Sequence, residues 1–153
     1  MAMATQLSIP LLMLTVLTGL ACEKVVDEPV FDLQPSIELL EVSSDTIIEF
    51  QQSIDLLIRY EDGDGDIGHP DVDQNSLFVK DARLEREDAY YVAPIAPVGS
   101  EVSITGTLRL QPDNTFLLGN ADVETTVFSL YLIDQAGNQS NTIETPPITI
   151  LRQ

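Results

Sequence analysis

The sequence predicts an all-β protein built as one sandwich of seven or eight short strands. Two observations predict it. From residue 36 onward, runs of β-branched and aliphatic residues recur between turn residues, and helical periodicity is hard to find. Residues 102–110 alternate strictly: Val102, Ile104, Gly106, Leu108 and Leu110 against Ser103, Thr105, Thr107 and Arg109. Such a period of two means one buried face and one wet face.

Taken in order, residues 36–42 and 46–50 are short strand-like runs split by Ser43-Ser44-Asp45. Residues 53–60 (SIDLLIRY) form a stronger strand, and 77–80 and 89–92 form shorter ones. After the alternating segment, Pro112-Asp113-Asn114 is a turn, because proline presets φ and asparagine tolerates the left-handed region. Phe116 to Leu118 then begins a return strand, which Gly119-Asn120 breaks. Residues 124–133 (ETTVFSLYLI) carry apolar side chains on both faces, as a central strand requires. A polar turn at 134–141 leads to a closing strand at 145–151. Pro146-Pro147 at its start fits a sheet edge, where a missing donor costs little. This pattern is that of an immunoglobulin-like or fibronectin-like sandwich spanning residues 36–153.

The 153 residues carry 25 Asp and Glu against 7 Lys and Arg, a formal charge of -18. Phosphate binding needs clustered cations, so nucleic acid is excluded as a partner. Adhesion of the protein surface itself to anionic lipid is excluded on the same ground. Self-repulsion of this size keeps a chain soluble and monomeric, and divalent cations relieve it locally.

The first 21 residues contain no charged side chain, and Leu7 to Leu20 is almost wholly apolar. Fourteen residues at about 1.5 Å each cannot cross a hydrocarbon core of about 30 Å. The length fits the apolar middle of a signal peptide over residues 1–21. Gly19-Leu20-Ala21-Cys22, followed by Glu23-Lys24, resembles the lipobox of bacterial lipoproteins, although Gly19 stands where that family prefers Leu. The resemblance implies a diacylglyceryl group on the Cys22 sulfur, cleavage before Cys22, and fatty acylation of the new amino terminus. Cys22 is the sole cysteine, so no internal disulfide forms. At about 0.8 kcal/mol per buried methylene, two or three acyl chains anchor a soluble domain firmly. Residues 22–35, with two prolines and four acidic side chains, read as an acidic tether.

Three stretches carry a wider resemblance: Tyr60-Glu61-Asp62-Gly63-Asp64-Gly65-Asp66-Ile67-Gly68, then Asn114-Thr115-Phe116-Leu117-Leu118-Gly119, then Asp134-Gln135-Ala136-Gly137-Asn138-Gln139-Ser140. Through them residues 22–153 resemble small bacterial outer-membrane lipoproteins with one immunoglobulin-like domain. That group has no defined activity. The resemblance implies an envelope location, with the anchor in the outer membrane.

Asp62, Asp64 and Asp66 alternate with glycines directly after a strong strand. Calcium takes six to eight oxygen ligands, and glycine lets the backbone curl so that successive carboxylates converge. The spacing is similar to the start of an EF-hand loop, but Ile67 replaces the turning glycine and Asp73 the usual Glu. The expectation is therefore a calcium loop on a β scaffold. The alternative is a flexible acidic turn. If residues 53–60 and 124–133 are the second and sixth strands, the loop 61–75 and the turn 134–141 share one end. Asp134 or Asn138 then completes the shell, with Asp71 and Asp73 as further candidates. His69, the only histidine, reads as a solvated loop residue, since a lone His is a weak transition-metal site.

No nucleophile–base pattern, phosphate-binding glycine loop or dinucleotide fingerprint occurs, so no enzyme is expected. Tyr90-Tyr91 is the nearest candidate binding face, set against partial burial at a sheet edge. Arg83, Glu85, Arg86, Glu87 and Asp88 read as exposed ion pairs of small energetic weight. Two roles stay open: a calcium-stiffened interaction or adhesion module, or a subunit of a larger envelope assembly that docks envelope proteins through a strand edge.

Overall fold

A computed structural model describes residues 30–113 and 115–153. The expected signal peptide, Cys22, the tether up to residue 29 and Asn114 lie outside the described residues. Ten strands form: β1 (Ser36–Val42), β2 (Thr46–Ile48), β3 (Leu56–Asp62), β4 (Leu77–Asp81), β5 (Asp88–Tyr90), β6 (Ile104–Leu110), β7 (Val123–Thr126), β8 (Phe128–Leu132), β9 (Ile143–Glu144) and β10 (Ile148–Leu151). The protein is an all-β sandwich, and among the described residues no helix is long and apolar enough to cross a membrane.

One layer is antiparallel, in the order β1-β3-β6, with Ser36 paired to Glu61 and Leu56 to Leu110. The other layer has two parts, β5-β4-β8-β9 and β2-β10-β7. The chain itself joins these parts. Only Val127 separates β7 from β8, and only Thr145-Pro146-Pro147 separates β9 from β10. Two interrupted runs thus account for the strands beyond the expected eight. At the interruption Thr145 N donates to Phe128 O at 2.9 Å, while Phe128 N donates to Thr145 Oγ1 at 3.0 Å. A side-chain hydroxyl replaces the backbone acceptor, and the two prolines that follow have no donor to waste.

Those prolines do not mark an edge strand, contrary to the sequence expectation. β10 lies between β2, which it pairs in parallel, and antiparallel β7. The prolines sit in the gap before the strand, so its own ladder is intact. The core is filled from both layers: Ile37, Leu56 and Ile58 meet Leu77, Val79, Phe128, Leu130, Leu132, Ile148 and Ile150. The predicted alternation of β6 is present, with Thr105, Thr107 and Arg109 exposed between more covered neighbours.

Phe116 to Leu118 is not a strand. Carboxylates take up the amides that a neighbouring strand would otherwise accept from. Leu117 N donates to Glu49 Oε2 at 3.2 Å, and Leu118 N and Gly119 N donate to the two oxygens of Glu124 at 3.1 and 2.9 Å.

Arg83 also departs from expectation, because it is not an exposed ion-pair residue. Only 12% of its side chain is accessible, and that of Asp81 is 1% accessible. Arg83 bonds Asp81 at 2.6 Å, Glu124 at 2.8 Å and Phe116 O at 2.9 Å, and Thr126 Oγ1 also donates to Asp81. Burial opposes charge on Asp81, but the bonds from Arg83 and Thr126 outweigh it and hold the carboxyl below its usual range. Arg83→Ala strands a buried carboxylate and is expected to cost about 3–5 kcal/mol in urea unfolding. A loss below about 1 kcal/mol would mean that the cluster is as weak as a surface pair.

Candidate metal centre

Two inward-facing rows of side chains end in aspartate. In β3 the buried positions are Leu56, Ile58, Tyr60 and then Asp62. In β8 they are Phe128, Leu130 and Leu132, and the same period reaches buried Asp134 two residues on. The rows belong to opposite layers, so their last members meet at one end of the core. Asp66 joins them from the loop after β3. One ligand oxygen from each of Asp62, Asp66 and Asp134 lies within 4.8 Å of the others.

The loop geometry follows from the Asp-Gly alternation. Asp62 Oδ2 accepts from Gly65 N at 2.8 Å and Asp66 N at 3.0 Å, which curls the loop back over its own first residue. Gly65 has φ of 78°, a left-handed conformation that glycine adopts without steric cost. The turn after β8 closes the other side. Gln135 N donates to Asp66 O at 3.3 Å and Ala136 N to Asp66 Oδ2 at 2.9 Å. Asp134 accepts from Asn138 N at 2.7 Å and from Asn138 Nδ2 at 2.9 Å.

The decisive feature is what these carboxylates lack. Oδ1 of Asp62, Oδ1 of Asp64 and Oδ1 of Asp66 are buried and receive no hydrogen bond. Asp62 as a residue is 0% accessible. A buried carboxylate oxygen without a donor costs several kcal/mol unless a cation meets it. Burial raises the Asp62 carboxyl, helped by the charge of Asp64, and pushes that of Asp66 up to about 6, helped by Asp134 and Asp64. Oxygen donors without Cys or His around them suit a hard cation.

Of the predicted residues, Asp62, Asp66 and Asp134 come together. Asp64 stands beside them with its own unpartnered oxygen. Asn138 meets Asp134 with donors, so it positions that carboxylate. Asp71 and Asp73 are exposed and form a turn of their own, with Asp73 N donating to Asp71 Oδ1 at 3.0 Å. His69 is half-buried in the loop and accepts from Asp71 N through Nδ1 at 3.1 Å. The two tyrosines differ from each other. The Tyr90 hydroxyl accepts from Asp113 N at 3.2 Å, whereas Tyr91 is exposed. The aromatic pair that stacks at the opposite pole is Phe50 with Phe116, centroids 6.0 Å apart, and sequence reasoning missed it. Its partners lie far apart in sequence, and Phe50 adopts a positive φ of 58° there.

A pH dependence with a definite sign follows. The folded pKa of Asp66, about 6, exceeds its ordinary 3.8, so its contribution favours the fold fully below 3.8 and is lost as pH rises through 6. Metal-free protein is therefore expected to melt at higher temperature as pH falls from 7 to 5. Asp66→Asn should flatten that slope and raise the metal-free melting temperature at pH 7. An unchanged slope in the variant would remove Asp66 as its source.

The chain matches no protein-family model, no curated protein and no solved structure.

Proposed function

We propose that this chain is a lipid-anchored, non-catalytic protein of the bacterial cell envelope, an interaction or adhesion module whose immunoglobulin-like sandwich is closed at one end by calcium. The observation that carries the reading is the fully buried, unpartnered Oδ1 of Asp62, at the meeting point of both layers. Calcium suits the site because its ligands stand about 2.3–2.6 Å from the ion, so opposed oxygens sit up to about 5 Å apart. Spacings within 4.8 Å fall inside that span. An ion there ties β3 to the turn after β8 and so staples one layer to the other.

The lipid anchor rests on the Gly19-Leu20-Ala21-Cys22 sequence and its apolar leader. The tether enters the domain at the cation end, because Ser36 pairs with Glu61 next to Asp62. Phe50, 78% accessible and stacked on Phe116, lies at the pole opposite the cation end. That pole is where a partner would be met. Its exposed aromatic ring in a left-handed backbone conformation is otherwise costly.

Two measurements test the reading. Intact mass of protein purified from its natural membrane should show cleavage before Cys22 and added acyl chains. A free Cys22 thiol in medium-soluble material would sink the anchor. Calorimetry should show calcium binding that exceeds magnesium binding. With calcium at 100 times its Kd, the melting temperature should rise by about 10 °C. Asp62→Asn should abolish the rise, and the absence of heat in the unaltered protein would end the calcium reading.

A further inference from the structure

We propose that the cation also controls the tether: filling the site seats residues 31–36 against the domain, and emptying it releases them. This inference rests on the calcium reading above and adds a regulated element to it.

The described end of the tether is not free of the domain. Pro35 is buried and Phe31 is half-buried. The segment lies across both loops that build the cation site. On the acidic loop, a Cβ added to Gly63 would lie 2.6 Å from Asp32 O and 2.7 Å from Phe31 O. Such distances exclude any side chain at Gly63 while the segment is seated. Gly63 is also held from behind, its carbonyl accepting from Ser103 Oγ at 3.0 Å. On the other loop, Gln34 Nε2 donates to Gln139 O at 2.6 Å. Asn141 then grips the next residues, accepting from Ile37 N and donating to Ile37 O, both at 2.8 Å.

The seat therefore has two halves, one on residues 62–66 and one on residues 134–141. Asp62 and Asp66 bring negative charge to the first half, and Asp134 brings it to the second. Without a counter-ion these carboxylates repel one another across the joint between the halves. A divalent cation reverses the sign of that interaction and draws the halves together. A segment that needs both halves is thereby coupled to the ion. By linkage the coupling is reciprocal, so loosening the segment weakens cation binding by the same factor.

The consequence for an anchored domain is a change of reach. With residues 31–36 seated, the chain between Cys22 and the seat counts residues 23–30, a contour of at most roughly 27 Å at about 3.4 Å per residue. With them released it counts residues 23–36, a contour of at most roughly 48 Å by the same measure.

Amide hydrogen exchange on the full-length protein, with calcium and with chelator, reads the effect directly. Calcium is expected to slow exchange across residues 31–37 by about tenfold or more, with little change within β6. Gly63→Ala should still give heat with calcium while losing that protection. Should Gly63→Ala fail to fold, Gln34→Ala, which alters one exposed side chain, should reduce the protection and weaken calcium binding by an equal factor. Calcium heat with no change in exchange at residues 31–37 overturns the coupling and leaves the calcium site standing. No calcium heat at all overturns both.

Discussion

The fold is organised around a charge placed where a hydrocarbon would ordinarily go. Each layer of the sandwich sends one row of side chains inward, and the rows of β3 and β8 end in Asp62 and Asp134 rather than in leucine or valine. A core that terminated in aliphatic groups would close by burial alone. One that terminates in carboxylates closes at a cost unless they are protonated or met by a positive charge, because ionised oxygens are unfavourable when dry and unpaired. The curled loop, its left-handed Gly65 and the donors of the turn after β8 all arrange oxygens about that single point. On the calcium reading proposed above, stability and cation binding would be the same event at this end of the molecule.

A second buried charge is handled in the opposite way. Asp81 is nearly inaccessible, yet it has internal partners in Arg83 and Thr126. Arg83 also reaches Phe116 O and Glu124, and Glu124 holds the amides of Leu118 and Gly119. The network thus organises a long irregular loop without any strand. One molecule thus holds two kinds of buried carboxylate: one met by a guanidinium of the chain, and one whose oxygens have no partner within it.

Much of this was legible in the amino-acid sequence, and what was missed has physical causes. Alternation located β6, aliphatic runs located β3 and β8, and the pairing of the acidic loop with the turn at 134–141 followed from strand order. The strongest signal went unused: the inward rows Leu56, Ile58, Tyr60, Asp62 and Phe128, Leu130, Leu132, Asp134 single out two aspartates among 25 acidic residues. Asp71 and Asp73 look equivalent by composition, but no buried row leads to them. Arg83 was misjudged because its partners Asp81, Glu124 and Thr126 are brought together by tertiary structure. The prolines before β10 misled because a proline one residue outside a strand and one inside it look alike without the partner strands.

The position of β10 has a consequence for how the chain matures. Ile148–Leu151 is the last strand in the sequence, yet it sits in the middle of its sheet, between β2 about a hundred residues earlier and β7. Neither neighbour has its partner until these residues arrive, so the β2-β10-β7 part of the layer cannot assemble on a partly emerged polypeptide. A domain wired in this order keeps that part of its layer open until Ile148–Leu151 are available to complete it.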